Sequence, residues 1–532
     1  MDPASPLLAA YGLVVLAAGA FGVVLAVAPY RAFDLDRFFV PKELVLHATV
    51  LLLAVPFVLR ARATAGSRTD KWLLAFLGVS LLSALLATNH WLAFRALALS
   101  WSSLLCFWSA RALARGGRSR AIVGILCGAV ALAAITSLLQ AYGMDSPYFT
   151  TNRAPGGTLG NRNFVAHLAA MGAPLLLVSA VRARRWITTV AASVTLAVVA
   201  AALVLSRSRA AWLALGACVV VLLPAIWHAR LKWRVPGMRR RIGIVALVTV
   251  GAVGLALVLP NKLDWRSDSP YLDTMKGVVN YKEGSGKGRL LQYRNTLRLA
   301  IRHPLLGVGP GNWPVEYPAI VPSSDPSLDE ATQMTANPWP SSDWMAFLSE
   351  RGLVGGTLLI LAMLGMLGGA WRQVRTAGTL DDHLDGVALA GIVVATCVVG
   401  AFDAVLLLPA PAFIAWTAFG ALRHQGDASP RAWSIAQRLA AAGAVLVVSG
   451  AAVARSTAQF ASIADFSRGS VQRAERDDPG SYRIRLRAAE LGAERGRCDI
   501  VRTQAGAAHD LFPNAPAPRR FLAACGVRLR GR

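Results

Sequence analysis

The stretch NPWPSSDWMAFLSERGLVGG, Asn337 to Gly356, sets Ser341, Ser342 and Asp343 at the mouth of an apolar run, with Glu350 two helical turns beyond Asp343. A carboxylate there can accept a proton. A serine hydroxyl cannot, because it is a very weak base near neutral pH. The same residues also suit a helix start: Ser341 or Ser342 as an N-cap and Asp343 beside the positive end of the dipole. Trp339 and Trp344 fit the aromatic belt between membrane and water. Glu350 reads as the partner of an arginine such as Arg351 or Arg289.

The second group of chemistry-bearing residues is cationic. In LVLSRSRAAWLALG (203–216), Arg207 ends one apolar run, where arginine commonly snorkels to headgroups, and Arg209 heads the next. A positive side chain there opposes the helix dipole, which a bound anion would explain. In GKGRLLQYRNTLRLAIRHPLLGVGPGNW (286–313), Leu290, Tyr293, Leu297 and Ile301 recur at helical spacing. They predict an amphipathic helix from Arg289 carrying Arg294, Arg298 and Arg302, closed by Pro304; a basic helix on the membrane surface is the alternative. NRAPGGTLGNRNFVAHLAAMGAPLLL (152–177) places Asn161 and Asn163 where they either cap a helix or line a site. Arg207, Arg209, Arg289, Arg294 and His303 have few acids near them in sequence. Guanidinium pairs phosphate in a bidentate way and keeps its charge when desolvated, so this set suits an anionic lipid, a diphosphate head most of all. Six cysteines show no metal-ligand spacing, and no metal or other cofactor is expected.

The elements that must carry these residues are membrane spans. Of 532 residues, 55% are hydrophobic and 16% charged, with a mean hydropathy of +0.48; a soluble chain carries about 25% charged residues. The net charge of +26 comes from short basic clusters between apolar runs, a topology signal rather than a nucleic-acid surface. Thirteen spans are predicted, near 7–29, 43–60, 72–88, 92–110, 121–142, 164–181, 187–205, 210–227, 242–260, 352–371, 386–408, 410–422 and 439–455. The first reads as a retained helix rather than a cleaved signal. Basic loops at 60–71, 111–120, 182–185, 228–241, 372–375 and 423–433 all fall on one side, which the positive-inside rule makes the cytoplasm, with the N-terminus. The fold expected is an all-α polytopic membrane bundle. Its parts are a first bundle (1–260), a large external loop (261–343), a second bundle (344–455) and an external helical tail (456–532). The tail reads either as two hairpins of the tetratricopeptide type or as a plain helical extension resting on the bundle. Cys498 and Cys525 in it can pair if that side is oxidising.

Five segments in order, FFVPKELVL, GTLGNRNFVAHLA, LSRSRAAWLAL, GRLLQYRNTLRLAIRHPLLGVGPGNW and SSDWMAFLSERGLVGG, resemble the O-antigen ligase and polysaccharide polymerase superfamily over roughly residues 30–420. These are bacterial inner-membrane glycosyltransferases of the GT-C type. The resemblance implies transfer of a glycan from an undecaprenyl diphosphate carrier to an acceptor glycan or glycolipid at the periplasmic face, among membrane lipids, with the tail free to meet a periplasmic protein. It assigns diphosphate binding and stabilisation to Arg209 and Arg289; the residues' own positions make Arg207, Arg294, Asn161, Asn163, His303 and Trp339 candidates for substrate contact, the last by stacking on sugar. A ligase-like activity is expected. The polymerase of the same superfamily, a non-catalytic glycan-lipid binding or assembly protein and a transporter are the alternatives. One position departs from the family: Ser341 stands where the family has its histidine base. Four readings stay open: another base, with Asp343 placed best ahead of His303 and His167; chemistry that needs no strong base; a locally different alignment; or a binding protein without transfer.

Overall fold

The computed structural model describes residues 6–30, 33, 35–60, 66–150, 153–228, 236–265, 269–277, 284–329, 332–422 and 433–527. Basic loop segments 61–65, 229–235 and 423–432, which carry part of the orientation argument, lie outside the described residues. The helices are α1 (Pro6–Leu25), α2 (Asp36–Arg60), α3 (Arg68–Leu85), α4 (His90–Leu113), α5 (Ser119–Ala141), α6 (Arg162–Arg182), α7 (Trp186–Ser206), α8 (Arg209–His228) and α9 (Met238–Val258). The large loop adds α10 (Pro270–Lys276), α11 (Gly284–Arg302) and α12 (Trp313–Glu316). Then come α13 (Asp343–Thr376), α14 (Leu380–Phe402), α15 (Pro409–Leu422) and α16 (Ile435–Ser467), followed by α17 (Val471–Asp477), α18 (Tyr482–Glu494), α19 (Cys498–Leu511) and α20 (Pro516–Ala524).

The molecule is an all-helical polytopic bundle, and each of the thirteen expected spans coincides with one long helix. Among the described residues, nine segments are long and apolar enough to cross a membrane, and one of these, His90–Ala141, holds both α4 and α5. Arg209–Pro224 in α8 and Pro409–Leu422 are apolar but shorter. Every residue of α15 is buried, as befits a helix apolar all round, and α4 and α14 pack against it. At the periphery, Leu247, Val250 and Val258 of α9 are exposed, the apolar surface that hydrocarbon would cover.

Three devices position the loops that were expected outside. Lys42 of α2 is buried and donates its ammonium to the Thr158 carbonyl at 2.8 Å, holding the glycine-rich loop against the bundle. Helix α11 grips the start of α13: Gln292 Oε1 accepts from the Ser341 N–H at 2.6 Å, and the Tyr293 hydroxyl donates to the Ser341 carbonyl at 2.6 Å and the Ala401 carbonyl at 2.9 Å. The third is a break in α13 at Gly352, with φ +67° and ψ −176°. There the GVGPG loop docks edge-on: the N–H groups of Val308 and Gly309 donate to the carbonyls of Ser349 and Glu350, and that of Leu353 donates to Pro304, at 2.7–2.9 Å.

Helix α11 and the tail add detail to the expected picture. The stripe Leu290, Leu297 and Ile301 of α11 faces outward, while Gln292, Asn295, Thr296, Leu299 and Ala300 are buried. On the buried face Asn295 bonds Asp325 at 3.0 Å, Thr296 takes the Trp313 indole N–H at 3.0 Å, and Leu299 packs with Val308, Trp313, Tyr317 and Leu328. The face that docks is therefore a mixed one, polar except for Leu299 and Ala300. The tail boundary expected at 456 falls inside α16, which runs unbroken to Ser467. Beyond it, α18 and α19 pair as a hairpin with α20 against α19, and a Cys498–Cys525 disulfide closes the group. The tail rests on the bundle: Arg483 pairs with Asp36 at 2.9 Å, and Asn89 donates to the Leu511 carbonyl at 3.0 Å.

A Cβ at Gly352 would collide with the Leu305 carbonyl, and its φ disfavours any other residue. Gly352→Ala is expected to cost roughly 2–4 kcal/mol of stability, seen as a lower melting temperature and reduced monodisperse yield. The open-space substitution Gly368→Ala should change neither.

Candidate functional site

A polar cleft of about 980 Å³ opens where the loops after α5, α7 and α9 meet α11, the start of α13 and the turn after α14. Arg207 lies in the two-residue turn between α7 and α8, and Arg209 begins α8. Arg207 adopts φ +56°, a left-handed conformation uncommon for a side-chain-bearing residue and costing about 1–2 kcal/mol. Its Nε donates to Thr274 Oγ1 at 2.9 Å, and its guanidinium lies 4.6 Å from the ring centre of Trp265. The Arg162 guanidinium lies 4.9 Å from the same ring. Arg209 donates to the Gly277 carbonyl at the end of α10. Burial holds Arg207 below the ordinary arginine range and Arg209 adds to this, against the opposing pull of Tyr271 and Asp273.

Arg153, Arg162, Arg207, Arg209, Lys262 and Arg289 all line this cleft, against the carboxylates Asp145, Asp264 and Asp403. Such an excess of guanidinium, held by a carbonyl, a hydroxyl and an aromatic face, has the chemistry that pairs with a multiply charged anion. Asn161 and Asn163 also line it, and Asn161 caps α6 by accepting from the Asn163 N–H at 3.0 Å. Capping and cleft-lining are thus both true of Asn161. Ser341 is on the wall as well.

Four expected residues stand apart. Asp343 is fully buried behind the wall; its Oδ1 accepts from Val405 N–H at 3.0 Å and its Oδ2 from Leu406 N–H at 2.9 Å. Its two oxygens stitch α13 to the turn after α14, which corrects the reading of Asp343 as a base facing substrate. Arg294 and His303 are exposed on other faces of α11 and its end. Trp339 borders a different cavity and meets Phe39 edge-on at 5.2 Å. Glu350 faces Arg351 at 3.4 Å, as its type suggested.

The structure adds a pair that spacing alone did not single out. His167 of α6 and Asp403 after α14 line the cleft, with His167 Nε2 3.9 Å from Asp403 Oδ2. Both ring nitrogens of His167 are buried without a hydrogen-bond partner. His167 was visible in the GNRNFVAHLA segment, where it ranked behind Asp343. Asp403 had a weaker signal: an acid at the outer mouth of the eleventh span, in AFDAVLLLPAP. Among the described residues, no group of three or more His, Cys, Asp or Glu side chains is placed to hold a metal.

Fold and site together define a polytopic helical membrane protein with a cation-lined cleft among its loops. Residues 192–360 match the family model for O-Antigen ligase, and this segment, which carries Arg207, Arg209, Arg289 and Ser341, supports membership of the O-antigen ligase superfamily. No curated protein matches the chain.

Inorganic pyrophosphate is expected to bind the nanodisc-held protein, with Arg209→Ala and Arg289→Ala each weakening it about tenfold, one charge-assisted contact being worth roughly 1.5–3 kcal/mol. Arg207→Gly should melt above Arg207→Ala by the equivalent of about 1 kcal/mol, although both lose pyrophosphate affinity. The order of the two melting temperatures checks the strain.

Proposed function

We propose that the chain transfers a glycan from an undecaprenyl diphosphate carrier to an acceptor hydroxyl at the periplasmic face of the inner membrane, as an O-antigen ligase-type glycosyltransferase. The observation that carries this is the convergence of Arg209 and Arg289, both inside the family-matched segment, with four further cations in one cleft. The cleft is built from the loops expected outside, and the Cys498–Cys525 disulfide in the tail fits an oxidising compartment on that side.

In this reaction the acceptor oxygen attacks the anomeric carbon of the carrier-linked sugar. The bond from that carbon to the diphosphate oxygen breaks, and the diphosphate leaves with the electron pair. The arginines stabilise the charge as it develops, an effect of about 3–4 kcal/mol for one well-placed donor. The acceptor proton passes to the Asp403 carboxylate, which is partly exposed on the wall near Ser341, with His167 behind it. Ser341 then needs no basicity, because its backbone rather than its hydroxyl is what α11 grips. A polymerase of the same superfamily would use the same cleft and differ only in its acceptor.

With carrier-linked glycan and acceptor in proteoliposomes, Asp403→Asn is expected to lower kcat by about 10²–10⁴ while leaving carrier affinity within a few-fold. Arg289→Ala should raise KM and lower kcat together, and Asp343→Asn should reduce folded yield before activity. Full turnover in Asp403→Asn would overturn the proton assignment. Absence of turnover in the wild type with every acceptor, alongside tight carrier binding, would favour a binding protein.

A further inference from the structure

A second cavity, of about 580 Å³, lies between the bundle and the tail. Its floor is α2, α4 and the turn after α14; its roof is the outer end of α16 and the start of α18. Such a volume suits a small-molecule site. The walls are largely apolar and aromatic, with Phe39, Leu99, Trp339, Leu407, Leu486 and Phe512 among them.

Its electrostatics are the reverse of the cleft's. The cations are Arg95, Arg455 and Arg483, and the acids are Asp36, Glu43, Asp329, Glu350 and Asp478. Arg95 is already held by Glu43 through two bonds of 2.8 and 3.0 Å, and Arg483 by Asp36 at 2.9 Å. Arg455 lies 4.9 Å from the ring centre of Trp91 and feels the charge of Asp478. Arg455 Nε is buried with no hydrogen-bond partner, so among the described residues a diphosphate would find a single cation outside an ion pair here, set among an excess of carboxylate.

What the wall does offer is hydrogen bonding without charge. Gln459 Oε1 and the Tyr482 hydroxyl are buried with no hydrogen-bond partner, and their residues are only 6% and 8% exposed. An unmade buried hydrogen bond costs about 1–3 kcal/mol, so two on one cavity wall point to a ligand that supplies hydroxyls. Aromatic faces beside such groups fit the apolar face of a sugar ring.

The two cavities meet. Ala336 lines both, and Trp339 of the second lies two residues from Ser341 of the first. We propose that the second cavity binds the acceptor, a neutral, hydroxyl-bearing glycolipid head, so that the tail forms part of the acceptor site. This rests on the transfer reading above: the anionic donor occupies the cleft, the uncharged acceptor occupies the tail-roofed cavity, and the reacting hydroxyl reaches across at residues 336–341.

The test uses the full chain in nanodiscs and a neutral alkyl glucoside with a diazirine in its alkyl chain. Light-dependent adducts are expected on peptides from 334–339, α16 or α18, displaced by octyl glucoside and not by inorganic pyrophosphate. Tyr482→Phe removes only an unpartnered hydroxyl, so it should keep the melting temperature and cut labelling at least fivefold. Leu486→Trp, which fills the space, should abolish it. Labelling spread over lipid-facing helices such as α9, displacement by pyrophosphate, or labelling unchanged in both Tyr482→Phe and Leu486→Trp would overturn the site. Turnover on native substrates without labelling of this cavity would sink the acceptor site and spare the transfer reading. Labelling that meets these criteria without turnover on any acceptor would do the opposite, leaving a glycoside site and removing its role as acceptor.

Discussion

Repulsion among guanidinium groups is the constraint around which this molecule is arranged. Two like charges about 6 Å apart repel by roughly 3 kcal/mol at an effective dielectric near 20, and the cleft gathers six cations. Carboxylates would relieve the repulsion, and the bundle uses them freely elsewhere: Arg111 is matched to Asp70 at 2.7 Å and Arg95 to Glu43 at 2.8 Å. In the cleft the partners of Arg207 and Arg209 are instead a threonine hydroxyl, an indole face and a backbone carbonyl. These orient the charge without neutralising it. Much of the loop architecture follows, because α10 and Trp265 must be brought over the α7–α8 turn to hold what would otherwise spread apart.

The same economy explains Ser341. Helix α11 does not touch its side chain; it fixes the backbone on both sides through Gln292 and Tyr293, and Tyr293 ties that backbone to Ala401 two residues before Asp403. Asp343, the first residue of α13, takes the N–H groups of Val405 and Leu406, which follow Asp403. Asp403 is therefore clamped from two directions, and a side chain at 341 is not needed to aim it. Ser341 serves here as part of the frame.

The membrane bundle was legible in the sequence because a span announces itself locally: about 20 apolar residues are needed, and nothing distant changes that. Arg209 was legible for a similar reason, since a positive charge at a helix start asks for an explanation on its own. Asp343 misled because burial is not local. The same Ser-Ser-Asp triplet fits an N-cap, a base or a buried clamp, and only the arrival of residues 405–406 decides among them. His167 and Asp403, 236 positions apart, become a pair only through the packing of α6 on α14. Helix α11 shows the limit of periodicity: spacing gives its two faces correctly, but which face docks depends on whether its surroundings are protein loops or hydrocarbon.

Helix α16 has 33 residues without a break. At 1.5 Å per residue it is a rod of about 50 Å, some 20 Å longer than a hydrocarbon core. Its inner part packs along α2, and its outer part carries Gln459 and Ile463 into the roof of the second cavity. With no hinge between them, the roof cannot lift as a flap. A pull on the tail reaches the bundle as a tilt of one stiff lever against α2, the helix that also holds Lys42 on the glycine-rich loop. Any protein grasping the tail thereby has a mechanical hand on the cleft.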